Sequence, residues 1–279
     1  MPIKTILAYL PSPTIARSVL CAAKKVAEAQ GVHIIGLHLE PDMMTYGESN
    51  LQISEEVRKQ LTRNSQAATA AVKTVFEESL GTTVPKHEWR SYTVPYKTGE
   101  DIIVAAAGSA DLVICGMNGG DEASPWANLT EAVLVRGGRP VLAIPSPLPV
   151  ARIGDQVIIA WNGTREAVRA VFDSLDLIRN ASTVRVITFM EDENQRLLAE
   201  LSSSDIVQAL LRHGIPAIGD VCYALGGDAA GALVSSLICE GCDLLVMGGC
   251  SHSRRSEMIF GGMSREMMSK AVVPTLLSH

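Results

Sequence analysis

Asp111-Leu112-Val113-Ile114-Cys115-Gly116-Met117 is matched later in the chain by Asp243-Leu244-Leu245-Val246-Met247-Gly248-Gly249. Each is a short apolar run behind an aspartate and ahead of a glycine, the length of a strand buried on both faces. Moving outward, the likeness continues. Gly138-Arg139-Pro140-Val141-Leu142-Ala143-Ile144-Pro145 is answered by Val272-Val273-Pro274-Thr275-Leu276-Leu277-Ser278-His279, and Ile6-Leu7-Ala8-Tyr9 by Ile158-Ile159-Ala160-Trp161. Matches in the same order mark an internal repeat. The chain reads as two diverged copies of one unit.

Within each copy, strand and helix alternate. Ile6–Tyr9 is a buried-strand run, and Ser12-Pro13 supplies an N-cap with proline at the first helical position. Ile15, Val19, Ala22 and Val26 follow at helical spacing, and Gly31 ends that helix. Val32–Leu39 reads as the next strand, and Ile53–Leu80 as one long helix or two shorter ones. Strands near His87–Val94 and Leu112–Met117 flank a helix near Gly99–Ala107. A helix near Asn128–Arg136 leads to a strand at Val141–Ile144.

The second copy predicts strands near Val157–Trp161, Val184–Met190, Ala217–Ala224, Leu244–Met247 and Pro274–Leu277. Thr164 caps its first helix, with Val168, Val171, Phe172 and Leu175 on one face. Its second helical region is shorter than that of copy one. Such alternation predicts right-handed crossovers and doubly wound α/β domains, each with a mainly parallel sheet covered on both faces. Pro145-Ser146-Pro147-Leu148-Pro149 is a stiff connector, which puts the domains at 1–147 and 153–279.

The totals agree with this plan. Of 279 residues, 47% are hydrophobic and only 4% aromatic, so the cores must be aliphatic. A net charge of −6 argues against a non-specific polyanion binder, and nothing resembles a basic arm or a zinc finger. No nucleic-acid partner is expected. Met1-Pro2-Ile3-Lys4-Thr5-Ile6-Leu7 lacks signal-peptide architecture, and the apolar runs are strand-length, so the expectation is a cytoplasmic protein without a membrane span. The six cysteines then read as reduced thiols.

In an open α/β sheet, ligands bind beyond the carboxyl ends of the strands. The informative segment leaving such an end is Gly248-Gly249-Cys250-Ser251-His252-Ser253-Arg254-Arg255-Ser256-Glu257-Met258-Ile259-Phe260-Gly261-Gly262-Met263-Ser264. Its glycines permit close backbone approach to a phosphate, and the helix entered at Gly262–Ser264 offers unpaired N–H groups. Ser264 adds a hydroxyl, and His252, Arg254 and Arg255 add positive charge. Spacing alone leaves two readings open: a phosphate cradle, or an ordinary glycine-containing turn with solvated arginines.

This segment resembles the universal stress proteins, whose fourth strand is followed by Gly-x2-Gly-x9-Gly-Ser/Thr around the phosphates and ribose of ATP. Gly248 fits the first glycine and Gly261 the third, while Ser251 stands at the second and Gly262 at the hydroxyl position. The family's aspartate after strand one, which contacts adenosine, is matched by Asn162 in Trp161-Asn162-Gly163-Thr164; a neutral amide there still hydrogen-bonds. The resemblance spans the chain twice. It implies tandem domains of the adenine nucleotide alpha-hydrolase-like fold, joined through their fifth strands as a pseudo-dimer. It also implies a nucleotide site in copy two at Asn162, Gly248, Gly249, Ser251, His252, Gly261, Gly262 and Ser264. The implied ligand is ATP or a related adenine nucleotide, with no metal beyond nucleotide-bound Mg. A protein partner and a homodimer are further expectations.

Copy one keeps Gly116-Met117-Asn118-Gly119. Aligning the last helices sets Trp126, Ala127, Asn128 and Thr130 against Phe260, Gly261, Gly262 and Ser264, with a loop two residues shorter. Leu10-Pro11 stands where Asn162-Gly163 does, so the anchor is apolar and no ATP is expected there. Cys239-Glu240-Gly241-Cys242, with Cys250 and His252, admits a zinc reading; small apolar thiols at a helix end and a strand approach are the plainer one. His33, His38 and His213 have no nucleophile partner in a recognisable elbow. Glu191-Asp192-Glu193 reads as a solvated loop, and Met43-Met44 with Tyr46 as a surface loop rather than a pocket lining. Three functions follow: a non-catalytic nucleotide-responsive stress regulator, a slow ATPase or related enzyme, or a scaffold with decayed sites. Catalysis would need a positioned base or metal-binding carboxylates, and the Gly248–Ser264 loop holds no such pair.

Overall fold

The structure, a computed structural model, describes residues 2–28, 31–42, 54–81, 84, 86–117, 129–146, 150–190, 194, 196–223, 229–249 and 262–279. The first half runs β1 (Thr5–Tyr9), α1 (Pro13–Glu28), β2 (His33–Pro41), α2 (Glu55–Leu80), β3 (His87–Val94), a 3-10 turn at Tyr96–Thr98, α3 (Gly99–Ala107), β4 (Leu112–Gly116), α4 (Leu129–Gly137) and β5 (Val141–Ile144). The second runs β6 (Gln156–Ala160), α5 (Arg165–Ser174), β7 (Thr183–Met190), α6 (Arg196–Arg212), β8 (Ala217–Tyr223), α7 (Ala229–Cys239), β9 (Leu244–Gly248), α8 (Gly262–Lys270) and β10 (Thr275–Ser278).

The local signals act where the sequence puts them. Ser12 Oγ accepts from Ile15 N at 3.4 Å, and Thr164 Oγ1 accepts from Ala167 N at 3.3 Å, so each half opens its first helix with a side-chain cap. Gly31, at φ +64°, takes the left-handed conformation that ends α1. Of the long helical region predicted before Leu80, the described residues form one helix, Glu55–Leu80, capped by Ser54, whose side chain accepts from Val57 N. Among the described residues, no helix is long and apolar enough to cross a membrane.

Among the described residues, ten strands form one sheet in the order β3-β2-β1-β4-β5-β10-β9-β6-β7-β8. Every neighbouring pair is parallel except β5 with β10, which run antiparallel. Leu142 faces Leu276 at the centre of that pair, flanked by Ala143 opposite Thr275 and Val141 opposite Leu277. Because Leu142 and Leu276 hold equivalent places in the repeat, a pseudo-twofold axis passes between them. The tandem halves are a pseudo-dimer within one chain.

Helices cover both faces. One face packs Val19, Phe76, Ala167 and Ile206, from α1, α2, α5 and α6. The other packs Ile103, Val133, Leu233 and Met267, from α3, α4, α7 and α8.

Two expectations need correction. The opening strands align one residue differently from the sequence match. Asp111 N donates to Thr5 O as Asp243 N donates to Gln156 O, and Leu10 N donates to Leu37 O as Trp161 N donates to Ile187 O. Tyr9 is therefore equivalent to Ala160, Leu10 to Trp161 and Pro11 to Asn162. A one-residue slip exchanges sheet faces, which identity between short aliphatic runs cannot detect. The faces agree with the hydrogen bonds: Leu10 and Trp161 share one core layer, whereas Tyr9 lies in the other.

The predicted apolar face of α5 is also rotated. Glu166, Ala167, Ala170, Val171 and Ser174 are buried, while Val168 and Phe172 are 38% and 41% exposed. At the strand end, Gly248 lets the backbone of Glu166 and Ala167 approach closely, and this contact accompanies the turn of that side of α5 toward the sheet.

Candidate functional site

In each half the strand order reverses beside the first strand, between β1 and β4 and between β6 and β9. The carboxyl ends there splay into the crevices where such folds take ligands. Around the β6–β9 crevice stand the Trp161–Thr164 turn, Gly248-Gly249 and the start of α8. Of the sequence-predicted residues, Asn162, Gly248, Gly249, Gly262 and Ser264 are brought to this edge. Ser251, His252 and Gly261 lie outside the described residues, as do Cys250, Arg254, Arg255, Asn118, Gly119, Trp126, Ala127, Asn128, Met43, Met44, Tyr46, Glu191, Asp192, Glu193 and Pro147–Pro149 of the connector.

Asn162 is exposed, and its Oδ1 accepts from Thr164 N at 3.2 Å and Thr164 Oγ1 at 2.8 Å. The amide thus shapes the turn into α5 through its oxygen, leaving its NH2 end as the donor side. Gly163 completes the turn at φ +69°.

Gly248 is a close-approach position. A Cβ there would lie 2.8 Å from Ala167 N and 2.9 Å from Glu166 C, so the strand end abuts the first turn of α5. Its carbonyl accepts from Ser264 Oγ at 3.3 Å, which ties the β9 end to the first turn of α8. Ser264 is 5% exposed. Gly249 turns the other way: its N donates to Ser278 O at 2.8 Å, and a Cβ on it would meet Leu134 Cδ1 of α4 at 3.3 Å. It packs the seam between the halves.

Glu166 is buried in the first turn of α5. Burial works to raise its pKa. Its own backbone N–H, the Arg165 guanidinium 3.1 Å away and Thr164 outweigh that and hold it below the usual carboxylate range. The positive end of α5 is thus answered internally by a carboxylate. The nine-residue α8 carries no acidic residue in its first turn, so the positive end of its dipole is not answered from within that turn.

The crevice floor differs between halves. Ala160, at the end of β6, is partly exposed and pairs with Met247 of β9; like Phe189, Cys222 and Met263, it packs against the buried layer on this face. The equivalent Tyr9 is 4% exposed. Beside it Cys115 Sγ and Thr130 Oγ1 share a hydrogen bond at 3.3 Å, and burial pushes the Cys115 thiol up to about 11.

Sequence reasoning passed over three groups. Asp111 and Asp243 head the repeated strands, yet their role was not read. Asp111 Oδ2 accepts from Lys4 N and Thr5 N, and Asp243 Oδ1 from Gly154 N and Asp155 N. Recurrence of a charged residue at one place in a repeat was the available signal. Glu166 is the second group. The third is His38, fully enclosed, with Nδ1 donating to Leu10 O at 2.7 Å and the ring stacked 6.0 Å from Trp89.

Other candidates fall away from the crevice. His33 lies 3.6 Å from Glu88, and His213 meets Phe172 edge-on. Cys239 is exposed, whereas Cys242 is buried against Leu244 O and its thiol is pushed up to about 11 by burial. Among the described residues there is no group of three or more His, Cys, Asp or Glu able to hold a metal. A groove of about 300 Å³ lined by Lys25, Asp155, Asp176 and Arg179 lies at the amino edge of the sheet. Its carboxylates are already engaged, Asp176 by Ile3 N and Arg179, Asp155 by Arg152 and Ser182.

Comparison with known proteins bears on the fold. No family model matches the chain, and no curated protein matches it. Solved structures do. A universal stress protein from Archaeoglobus fulgidus DSM 4304 superposes with a TM-score of 0.67 at 15% identity, over 98% of this chain and 97% of that one. A protein of Pseudomonas aeruginosa UCBPP-PA14, provisionally described as a universal stress protein, gives 0.60 at 14% identity over 99% and 93%. A functionally unknown protein of P. aeruginosa PAO1 gives 0.59 at 13% identity over 99% and 92%. The chain has the tandem universal-stress-protein fold.

Proposed function

We propose that this chain is a non-catalytic universal stress protein of the cytoplasm, with domains at 1–147 and 153–279, whose second domain binds an adenine nucleotide as a regulatory ligand. One observation carries the reading: at the β6–β9 crevice a partly exposed strand end, Ala160, lies on the strand next to β9, to whose end a helix start is held through Ser264 and Gly248. The base and ribose occupy the crevice above Ala160, within reach of the Asn162 amide. The phosphates meet the α8 N-terminus rather than that of α5, where Glu166 would repel them. Ser251, His252, Gly261 and Gly262 complete the cradle by resemblance, and the metal is the Mg carried on the nucleotide.

Calorimetry of protein freed of carried-over nucleotide, against ATP, ADP and AMP, tests this. Binding without phosphate release supports the regulator, and release lost on changing Asn162 or Ser264 supports a slow ATPase. No binding at millimolar nucleotide leaves a scaffold. Gly261→Val abolishes binding by blocking the backbone approach; unchanged affinity would mean that the cradle lies elsewhere.

A further inference from the structure

The sheet has two switch crevices, and they are not equally open. Tyr9 occupies in the first half the strand position that Ala160 occupies in the second, and Cys115 the position of Met247. The Tyr9 ring belongs to the same buried layer as Leu37, Leu39, Val94, Cys115 and Leu129. Its hydroxyl is buried and, among the described residues, has no hydrogen-bond partner. Burial, then the neighbouring Cys115 and Glu40, push the phenol up, so it stays protonated and neutral. The neighbouring Cys115 is hydrogen-bonded to Thr130 instead.

An orphaned buried hydroxyl costs stability, and phenylalanine would fill the same volume without it. The ring sits where a fold of this class is otherwise open to ligands. In the second half the corresponding side chain is a methyl group, and that strand end is partly exposed.

We propose that Tyr9 is a built-in occupant of the first crevice: its ring fills the space that a flat heteroaromatic ligand takes above Ala160, so each chain binds one such ligand instead of two. The second clause rests on the nucleotide reading of the second domain; the filling of the first crevice does not.

The test compares wild type, Tyr9→Ala, Tyr9→Phe and Ala160→Tyr in the full chain, with indole and AMP as probes. A cavity left by a deleted buried ring takes up small aromatic molecules. Tyr9→Ala is expected to bind one additional indole relative to wild type, with backbone resonances of Leu37, Cys115 and Thr130 shifting on titration. Tyr9→Phe stays closed, like wild type. Ala160→Tyr weakens AMP by at least about tenfold, a change of about 1.4 kcal/mol. Folded Tyr9→Ala that gains no indole overturns the proposal, as does Tyr9→Phe that gains it. If Tyr9→Ala does not fold, Tyr9→Val answers with the same probe and the same two outcomes. Absence of AMP binding to wild type removes the nucleotide reading and the one-ligand count, while the indole result still decides the role of Tyr9.

Discussion

Asp111 and Asp243 each collect two backbone N–H groups that open the central strand of their half, at the edge of the sheet away from the crevices. Removing one carboxylate leaves those donors short of a partner in a half-buried site. Asp243→Ala is expected to cost about 1.5–3 kcal/mol in urea unfolding, and Asp243→Asn less, because the amide oxygen still accepts. Asp243 and the buried Glu166 respond to pH with opposite sign. Burial raises Asp243 above its ordinary value, so its contribution to stability declines as pH climbs from the unfolded pKa of about 3.9 through the raised folded one. Glu166 is held low, so its contribution is present above its unfolded pKa of about 4.3 and is lost as pH falls through the depressed folded value. Plotted against pH in the acid range, the stability of Asp243→Asn should rise more steeply than wild type, and that of Glu166→Gln less steeply.

Glycines set the spacing between elements. Gly36 in β2 faces Phe76 of α2, and a Cβ there would run into the Phe76 ring. Gly36→Ala is expected to cost about 1–3 kcal/mol by overpacking. Adding Phe76→Leu should cost less than the two changes summed, since the smaller side chain relieves the clash; a double-mutant cycle in urea measures the difference. Gly116 and Gly248 serve likewise at the ends of β4 and β9, against Ile15 of α1 and the first turn of α5. This is why the motif glycine Gly248 was legible while its reason was not. A phosphate cradle and a helix–strand contact both ask for the same missing Cβ. The α5 face shows the same limit: Val168 and Phe172 lie at core spacing, but the first turn of α5 packs on Gly248, and Ala167 and Ala170 are the buried residues instead.

At the scale of the whole molecule, the halves are joined by more than the β5–β10 ladder. Ile3 N donates to Asp176 Oδ2 at 2.8 Å and Leu134 covers Gly249, while Cys21 Sγ donates to Val150 O at 3.5 Å and pins the connector to α1. With one continuous sheet, unfolding should be a single transition. Trp89 reports the first half and Trp161 the second, so single-tryptophan variants in a Trp126→Phe background should show coincident urea midpoints. Leu276→Ala, at the fully buried pseudo-axis position, is expected to cost about 2–5 kcal/mol and to move both midpoints together. Movement of the Trp161 midpoint alone would mean that the halves unfold independently.

The sequence by itself determined the duplication, the strand–helix alternation, the aliphatic two-sided core and the segments that leave the strand ends. All of these depend on short-range periodicity or on repetition along the chain. The fifth-strand pairing was already implied by the resemblance, whereas the register that sets Tyr9 against Ala160 and the inward turn of Gly249 were decided only in the tertiary structure. Each depends on which backbone groups pair across distant segments, and a slip of one residue in an aliphatic strand reverses its faces while leaving its hydrophobic pattern almost unchanged. The asymmetry between a sealed crevice and an open one is therefore a property of strand pairing that no single segment carries.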